Sequence, residues 1–209
     1  MKKNIITMLI ALVAFTASAQ DNLIRINDTE KVKDVELSFH EHEMVRLLMP
    51  SHAEFGVVCV PSFTPEWTMA YDSVAHVLVL KESEESIWYK KYHFTHWNEH
   101  THEKGVKRPK KYKSPKVKTH KLAITSEQAQ TLHTLWREAI SQAEDEKVIV
   151  LDGVMWKFFI DGRCAKSHSE KNALVQLTNG LKEAVRDGDK RRRDSLLAEH
   201  LNDVTKIQH

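Results

Sequence analysis

The segment 148–160 constrains the fold more than any other part of the chain. It reads Val-Ile-Val-Leu-Asp-Gly-Val-Met-Trp-Lys-Phe-Phe-Ile, with β-branched and aromatic runs on both sides of Asp152-Gly153. Asp-Gly readily accepts the two positive-φ positions of a type I′ turn, so the segment predicts a β-hairpin. Helical patterns lie on both sides of it. We therefore expect the hairpin to be a central ribbon against which helices pack.

The strongest helical pattern follows Thr125. Thr125 and Gln128 have the spacing of a capping box, in which each side chain binds the other residue's backbone amide. Apolar residues then recur at intervals of three and four up to Ala143, which gives one apolar stripe. The sequence predicts an amphipathic helix over this segment.

Two more helices are predicted near the C-terminus. Ser167 and Glu170 have capping-box spacing, and the apolar stripe that follows ends at Gly188. A last amphipathic helix is predicted over 189–207, with the basic run 190–193 on its solvated face.

Apolar and aromatic runs in the first half of the chain predict strands. Residues 54–60 read as a buried strand, 63–71 alternate large and polar residues, and 74–80 return after an Asp-Ser turn. The aromatic-rich segment 86–94 is predicted to be a third strand of this group. Residues 20–54 are polar and are expected to supply an edge strand or to wrap the domain loosely.

Strands followed by a helix, a hairpin and helices predict an α+β fold. We expect an antiparallel-rich sheet with two or three amphipathic helices packed on one face. Residues 20–209 suit a single domain.

The first 19 residues have the pattern of a signal peptide. Lys2 and Lys3 precede an apolar run over 5–15, and Ala17-Ser18-Ala19 is a small-residue cleavage site. We expect cleavage near Ala19-Gln20 and export of the chain to the periplasm or the medium. No later segment approaches the roughly 18 apolar residues of a membrane span, so none is expected in the mature chain.

Charge is unevenly distributed. Residues 104–121 hold nine Lys or Arg and no acid, while the rest of the mature chain has 20 basic against 29 acidic residues. The segment has few apolar residues, so we expect a mobile basic loop at about 104–121. Leu122 to Ile124, at its end, are expected to regain strand structure.

The basic loop has three interpretations. It could bind an anionic glycan or lipid or an envelope protein, it could dock onto the acidic body, which the matched charges favour, or it could simply be solvated. Because the mature chain is formally neutral and the loop has a single aromatic residue, we do not expect nucleic acid as a partner. The candidate binding residues are Lys107, Arg108, Lys110, Lys111, Lys113, Lys116 and Lys118.

Four histidines between residues 93 and 102 form the one local concentration of metal-ligand side chains. In a helix His93, His96 and His100 would share a face, and in an extended segment His96, His100 and His102 would. Imidazole binds zinc, copper or nickel, but the spacing matches no catalytic signature. Solvated polar residues are the alternative.

Cys59 and Cys164 are the chain's two cysteines. They could form one disulfide in an oxidising compartment or remain two buried thiols, and the sequence leaves both open.

Established catalytic motifs are absent from the sequence, which has no CxxC, GxSxG, P-loop or dinucleotide fingerprint. We therefore favour an exported, non-enzymatic binding or interaction module of unidentified ligand. The alternative is a metal-binding protein or metal-dependent enzyme that uses the histidine cluster.

Overall fold

The computed structural model describes residues 23–25, 35–95, 111–144 and 153–207, which form seven strands and five helices. In chain order these elements are β1 (Ile24–Arg25), α1 (Val35–Leu48), β2 (Ala53–Pro61), β3 (Trp67–Asp72), β4 (Val77–Ser83), α2 (Ile87–Thr95), β5 (Val117–Ala123), α3 (Ser126–Ser141), β6 (Val154–Ile160), β7 (Arg163–Ser167), α4 (Ala173–Asp187) and α5 (Lys190–Ile207).

The strands form one antiparallel sheet in the order β1-β7-β6-β2-β3-β4-β5. Strands β2, β3 and β4 follow one another as a meander. The chain then returns through α2 to place β5 at one end of the sheet. It crosses over through α3 to add the β6–β7 hairpin on the other side of β2. This is the predicted α+β class with an antiparallel sheet.

The three C-terminal helices α3, α4 and α5 cover one face of the sheet, as predicted. Alternate residues of the central strands point to this face, among them Phe55, Val57, Met69 and Phe158, all nearly or fully buried. Their helical partners are Leu132, Trp136, Leu177, Leu181 and Leu197. This cluster is the main hydrophobic core.

The opposite face is covered by α1 and α2, which the sequence did not predict. Met44 and Leu48 of α1 pack with Ile87 of α2 against Val58 and Val60 of β2, whose side chains point to this face. All of β3 up to its last residue is buried, because both of its faces are covered. The fold therefore has three layers, with the sheet in the middle.

The predicted capping box of α3 is confirmed. The amide of Gln128 donates to Thr125 Oγ1 at 3.2 Å, and the amide of Thr125 donates to Gln128 Oε1 at 3.0 Å. Further along, Trp136 donates from Nε1 to the carbonyl of Gly56 at 2.9 Å. This bond fixes the helix to the central strand β2.

The predicted hairpin is described only in part. Its second arm is β6, whereas residues 148–152 lie outside the described residues. The neighbours of β6 in the sheet are β2 and β7. The tight turn next to β6 is Asp161-Gly162, whose φ angles of 50° and 71° are both positive. These two residues give the conformation that the sequence assigned to Asp152-Gly153.

Two helices replace predicted extended structure. Residues 35–48 form α1 instead of an edge strand or a loose wrap, although β1 does pair at the sheet edge. Residues 87–95 form α2 instead of a strand. The aromatic spacing was ambiguous, because Trp88 and Tyr92 also meet one helical turn apart, with rings stacked at 5.9 Å.

The predicted start of α4 is wrong. Ser167 is the last residue of β7, and the N-cap is Asn172, whose Oδ1 accepts from the amides of Leu174 and Val175. The predicted end is confirmed, because Gly188 adopts the left-handed conformation at φ 68°. Ser167 instead accepts from the amide of Ser169 in the loop before the helix.

The substitution Gly56→Ala should disrupt the fold. An added Cβ would overlap the carbonyl oxygen of Met69 and lie 2.7 Å from Cα of Ala70, both on the paired strand β3. Because backbone cannot move aside as a side chain can, we expect a loss of at least about 3 kcal/mol in urea unfolding. Gly180→Ala is the matched control, since its Cβ would meet only the flexible end of Leu196 at 3.0 Å. Equal stability of the two variants would contradict the β2–β3 register.

Candidate ligand-binding surface

Five exposed lysines lie on edge strand β5 and on the segment that leads into it. We call this set, Lys111, Lys113, Lys116, Lys118 and Lys121, the basic strip. No acidic residue occurs between residues 111 and 125. The predicted basic loop is therefore structured at its C-terminal end, because residues 117–121 belong to β5. Its remaining candidates Lys107, Arg108 and Lys110 lie outside the described residues.

The segment before β5 is anchored by side chains that alternate with the lysines. Ser114 donates to Glu43 Oε1 at 2.8 Å and accepts from Arg46 at 2.7 Å, and both partners are on α1. The hydrogen bond from Arg46 lowers the pKa of Glu43, against the opposing effect of burial. Ser114 thus ties the segment to a charged pair on α1.

Tyr112 is a second anchor. Its ring lies 4.3 Å from the ammonium of Lys91 and 5.7 Å from the ring of Phe94, both on α2. Burial, reinforced by the charge of Glu43, raises the pKa of Tyr112 to about 12. Because Tyr112 and Ser114 face the helices, the intervening Lys113 and the adjacent Lys111 remain exposed.

Most of the basic strip has no acidic partner among the described residues. Lys118 lies 3.5 Å from Glu84. Within the described part of the chain, Lys111, Lys113, Lys116 and Lys121 form no ion pair. Among the described residues, docking onto the acidic body therefore accounts for one of the five lysines.

Helix α5 extends the basic strip past the end of β5. Arg193, which the sequence placed on a solvated face, is 7% exposed and donates to the carbonyl of Ala123. This contact corrects the prediction for residue 193 only. Lys190, Arg191 and Arg192 are exposed, as expected, and their helix is fixed beside the last residue of β5.

The candidate metal cluster is described at one position. His93, in the last turn of α2, is half-buried, with its ring 5.5 Å from that of Tyr89. His96, His100 and His102 lie outside the described residues. Among the side chains that the structure describes, no three His, Cys, Asp or Glu residues are placed to hold a metal ion.

Cys59 and Cys164 do not form a disulfide. Cys59 is paired with Trp156 and Cys164 with Phe159, three residues apart on β6. Because side chains alternate between faces, the two thiols lie on opposite faces of the sheet. The bridge suggested by the sequence is therefore excluded in this fold, and only Cys59 is buried.

A fully buried carboxylate, Glu66, was missed by sequence reasoning. Its carboxylate accepts from the amides of Ile87 at 2.7 Å and Trp88 at 3.0 Å, the first two residues of α2. It also bonds Nε2 of His40, on α1, at 3.2 Å. Glu66 and His40 are 0% and 4% exposed, so a substrate could not reach them. The pair instead joins the residue before β3 to α1 and α2. Ser86, whose hydroxyl accepts from Tyr89, was the local sign of a helix start.

Comparison with protein-family models, curated proteins and solved structures gives no match to this chain. Among the described helices, none is long and apolar enough to cross a membrane.

Thiol titration should separate the two cysteines. Burial raises the pKa of the Cys59 thiol to about 12, so it should not react with Ellman's reagent in the native protein. Cys164 is exposed and should react. Two thiols should titrate after unfolding without reductant. Loss of both signals would indicate a bridge and contradict the strand register.

Replacing Glu66 with Gln should destabilise the fold in a pH-dependent way. Burial raises the pKa of Glu66, but bonds from His40 and the amides of Trp88 and Ile87 outweigh it and hold the pKa below 4.5. The carboxylate therefore stabilises the fold above about pH 4.5 and loses this effect as the pH falls through its folded pKa.

We expect Glu66→Gln to cost about 2–3 kcal/mol at pH 7 in urea unfolding, and the difference from wild type to shrink below pH 4.5. Glu41→Gln is the control. It removes a half-exposed ion pair with Lys157 and should cost less than about 1 kcal/mol. A constant difference across pH would show that the charge of Glu66 is unimportant.

Proposed function

We propose that this chain is an exported, non-enzymatic binding module that engages an anionic partner through the basic strip. The observation that carries the proposal is that four of its five exposed lysines, Lys111, Lys113, Lys116 and Lys121, have no acidic partner among the described residues. Like charges held together at a surface attract anions and are relieved by binding them. Export is the expectation from residues 1–19.

The arrangement suits an extended partner better than a compact one. Strand β5 has seven residues, which at about 3.3 Å per residue gives a length of about 23 Å. The lead-in segment and the exposed start of α5 lengthen this line of positive charge at its two ends. A row of charges on a fixed backbone matches a partner that carries repeated carboxylate, sulfate or phosphate groups.

Rigidity also supports the proposal. The anchors Tyr112 and Ser114 hold the lead-in segment, and pairing with β4 holds β5. Binding to an ordered surface avoids the entropy cost of ordering a loose one. A purely solvated basic segment would need no such anchors.

Binding should be measured by calorimetric titration of residues 20–209 with dextran sulfate, with neutral dextran as the ligand control. We expect binding to dextran sulfate that weakens as salt rises, because the lysines are exposed and screened. Neutral dextran should give no heat.

Charge-neutralised variants test whether the basic strip is responsible. Lys113→Gln/Lys116→Gln should weaken binding about tenfold at low salt, since each lost contact is worth about 0.5–1 kcal/mol. Arg163→Gln/Lys171→Gln removes the same charge from exposed positions elsewhere and should have little effect. Equal losses in both variants would attribute binding to net charge and refute a role for the strip.

A further inference from the structure

The direction of the backbone groups of β5 follows from two hydrogen bonds. The amide of Glu84 donates to the carbonyl of Lys116 at 2.9 Å, and the amide of Ile124 donates to the carbonyl of His76 at 3.2 Å. Both bonds join residues opposite each other in the β4–β5 register. In an antiparallel pair every second residue points its N–H and C=O to the partner, so the even-numbered residues of β5 face β4.

The odd-numbered residues Val117, Thr119, Lys121 and Ala123 therefore point their N–H and C=O groups away from the sheet. A contact of Ala123 supports this direction, since its carbonyl accepts a hydrogen bond from the guanidinium of Arg193 on α5 instead of from an amide of β4. In the part of the chain that the structure describes, no strand pairs with this edge. A row of outward amides and carbonyls is a template for another strand.

We infer that the partner of this module is a protein segment of acidic sequence that adds to β5 as an extra strand. The inference rests on the proposed function and specifies its partner class. Main-chain hydrogen bonds to the outward groups would supply affinity, and the lysines would select acidic side chains. Lys118 shares a face with Leu122, and Lys121 points to the opposite face, so acids on both faces of the added strand would meet a lysine.

The same lysines exclude a second copy of this chain as the added strand. Pairing β5 with itself would bring two basic strips together, and like charges across strands are destabilising. Lysines on an edge strand commonly prevent this kind of self-association. An acidic strand can pair with β5 without this repulsion.

The first test uses a peptide of about eight residues that alternates Glu and Thr, a length typical of a strand. Titration is followed by fluorescence anisotropy and by amide hydrogen exchange. We expect binding together with slowed exchange at Val117, Thr119 and Lys121. Exchange at the inward amides should change much less, because β4 already protects them.

Two N-methylated versions of the peptide separate strand addition from attraction by charge. One carries N-methyl groups on every Glu and the other on every Thr, so both keep the full charge. In an added strand only one of these two sets of amides faces β5. One version should lose binding and the other should keep it, whereas binding by charge alone would retain both and overturn the inference.

The matched protein variants are Thr119→Pro and Thr119→Ala. Proline removes an outward N–H without breaking a bond to β4, and it retains all five lysines. We expect Thr119→Pro to reduce peptide binding at least tenfold, while Thr119→Ala binds as wild type. Peptide binding unaffected by Thr119→Pro would also overturn strand addition.

Titration with dextran sulfate shows whether a negative peptide result refutes strand addition alone or the proposed function as well. If the protein binds dextran sulfate but the peptide gives no exchange protection, the proposed anionic-partner function stands and strand addition is refuted. If neither ligand binds, both are refuted.

Discussion

The second helical layer depends on one buried carboxylate. Glu66 precedes β3, yet it satisfies the first amides of α2 and bonds His40 of α1. A charged group withdrawn from water is tolerated because each of its oxygens accepts hydrogen bonds, and a helix N-terminus favours negative charge. This contact holds α1 and α2 over a sheet face that would otherwise expose Val58 and Val60. The same two helices supply the anchors for Tyr112 and Ser114, and so they also position the start of the basic strip.

The first helical layer was predictable from the sequence and the second was not. Helices α3 and α4 have continuous apolar stripes and α5 has a weaker one, and Thr125 and Gly188 mark a start and an end. Helix α2 has no such stripe. Its aromatic residues fit a strand equally well, and its helical form depends on a carboxylate 21 residues earlier in the chain. Periodicity within a segment cannot report a partner at that distance.

The charge of the candidate surface was visible in the sequence, but its geometry was not. Composition alone identified the basic segment and most of its lysines. Those lysines could pair with acidic residues of the body, remain solvated or line a sheet edge. The outcome depends on the position of β5, which pairs with β4 and is the last strand of the sheet. The two cysteines show the same limit of sequence analysis. The positions of Cys59 and Cys164 in the chain do not reveal the face of the sheet on which each thiol lies, and the structure places them on opposite faces.

The position of β6 beside β2 has a consequence for the order of folding. The contact between Ser62 and Gly153 joins residues 91 positions apart, and the paired residues of β2 and β6 lie still further apart in sequence. Closing so long a loop slows folding relative to local hairpins. Until β6 has been synthesised, the meander β2–β4 can form only with an apolar strand left open at its edge. A nascent chain would therefore carry this exposed apolar edge until residue 160 has been synthesised, so the strand that ends up in the middle of the sheet is open to aggregation during that interval.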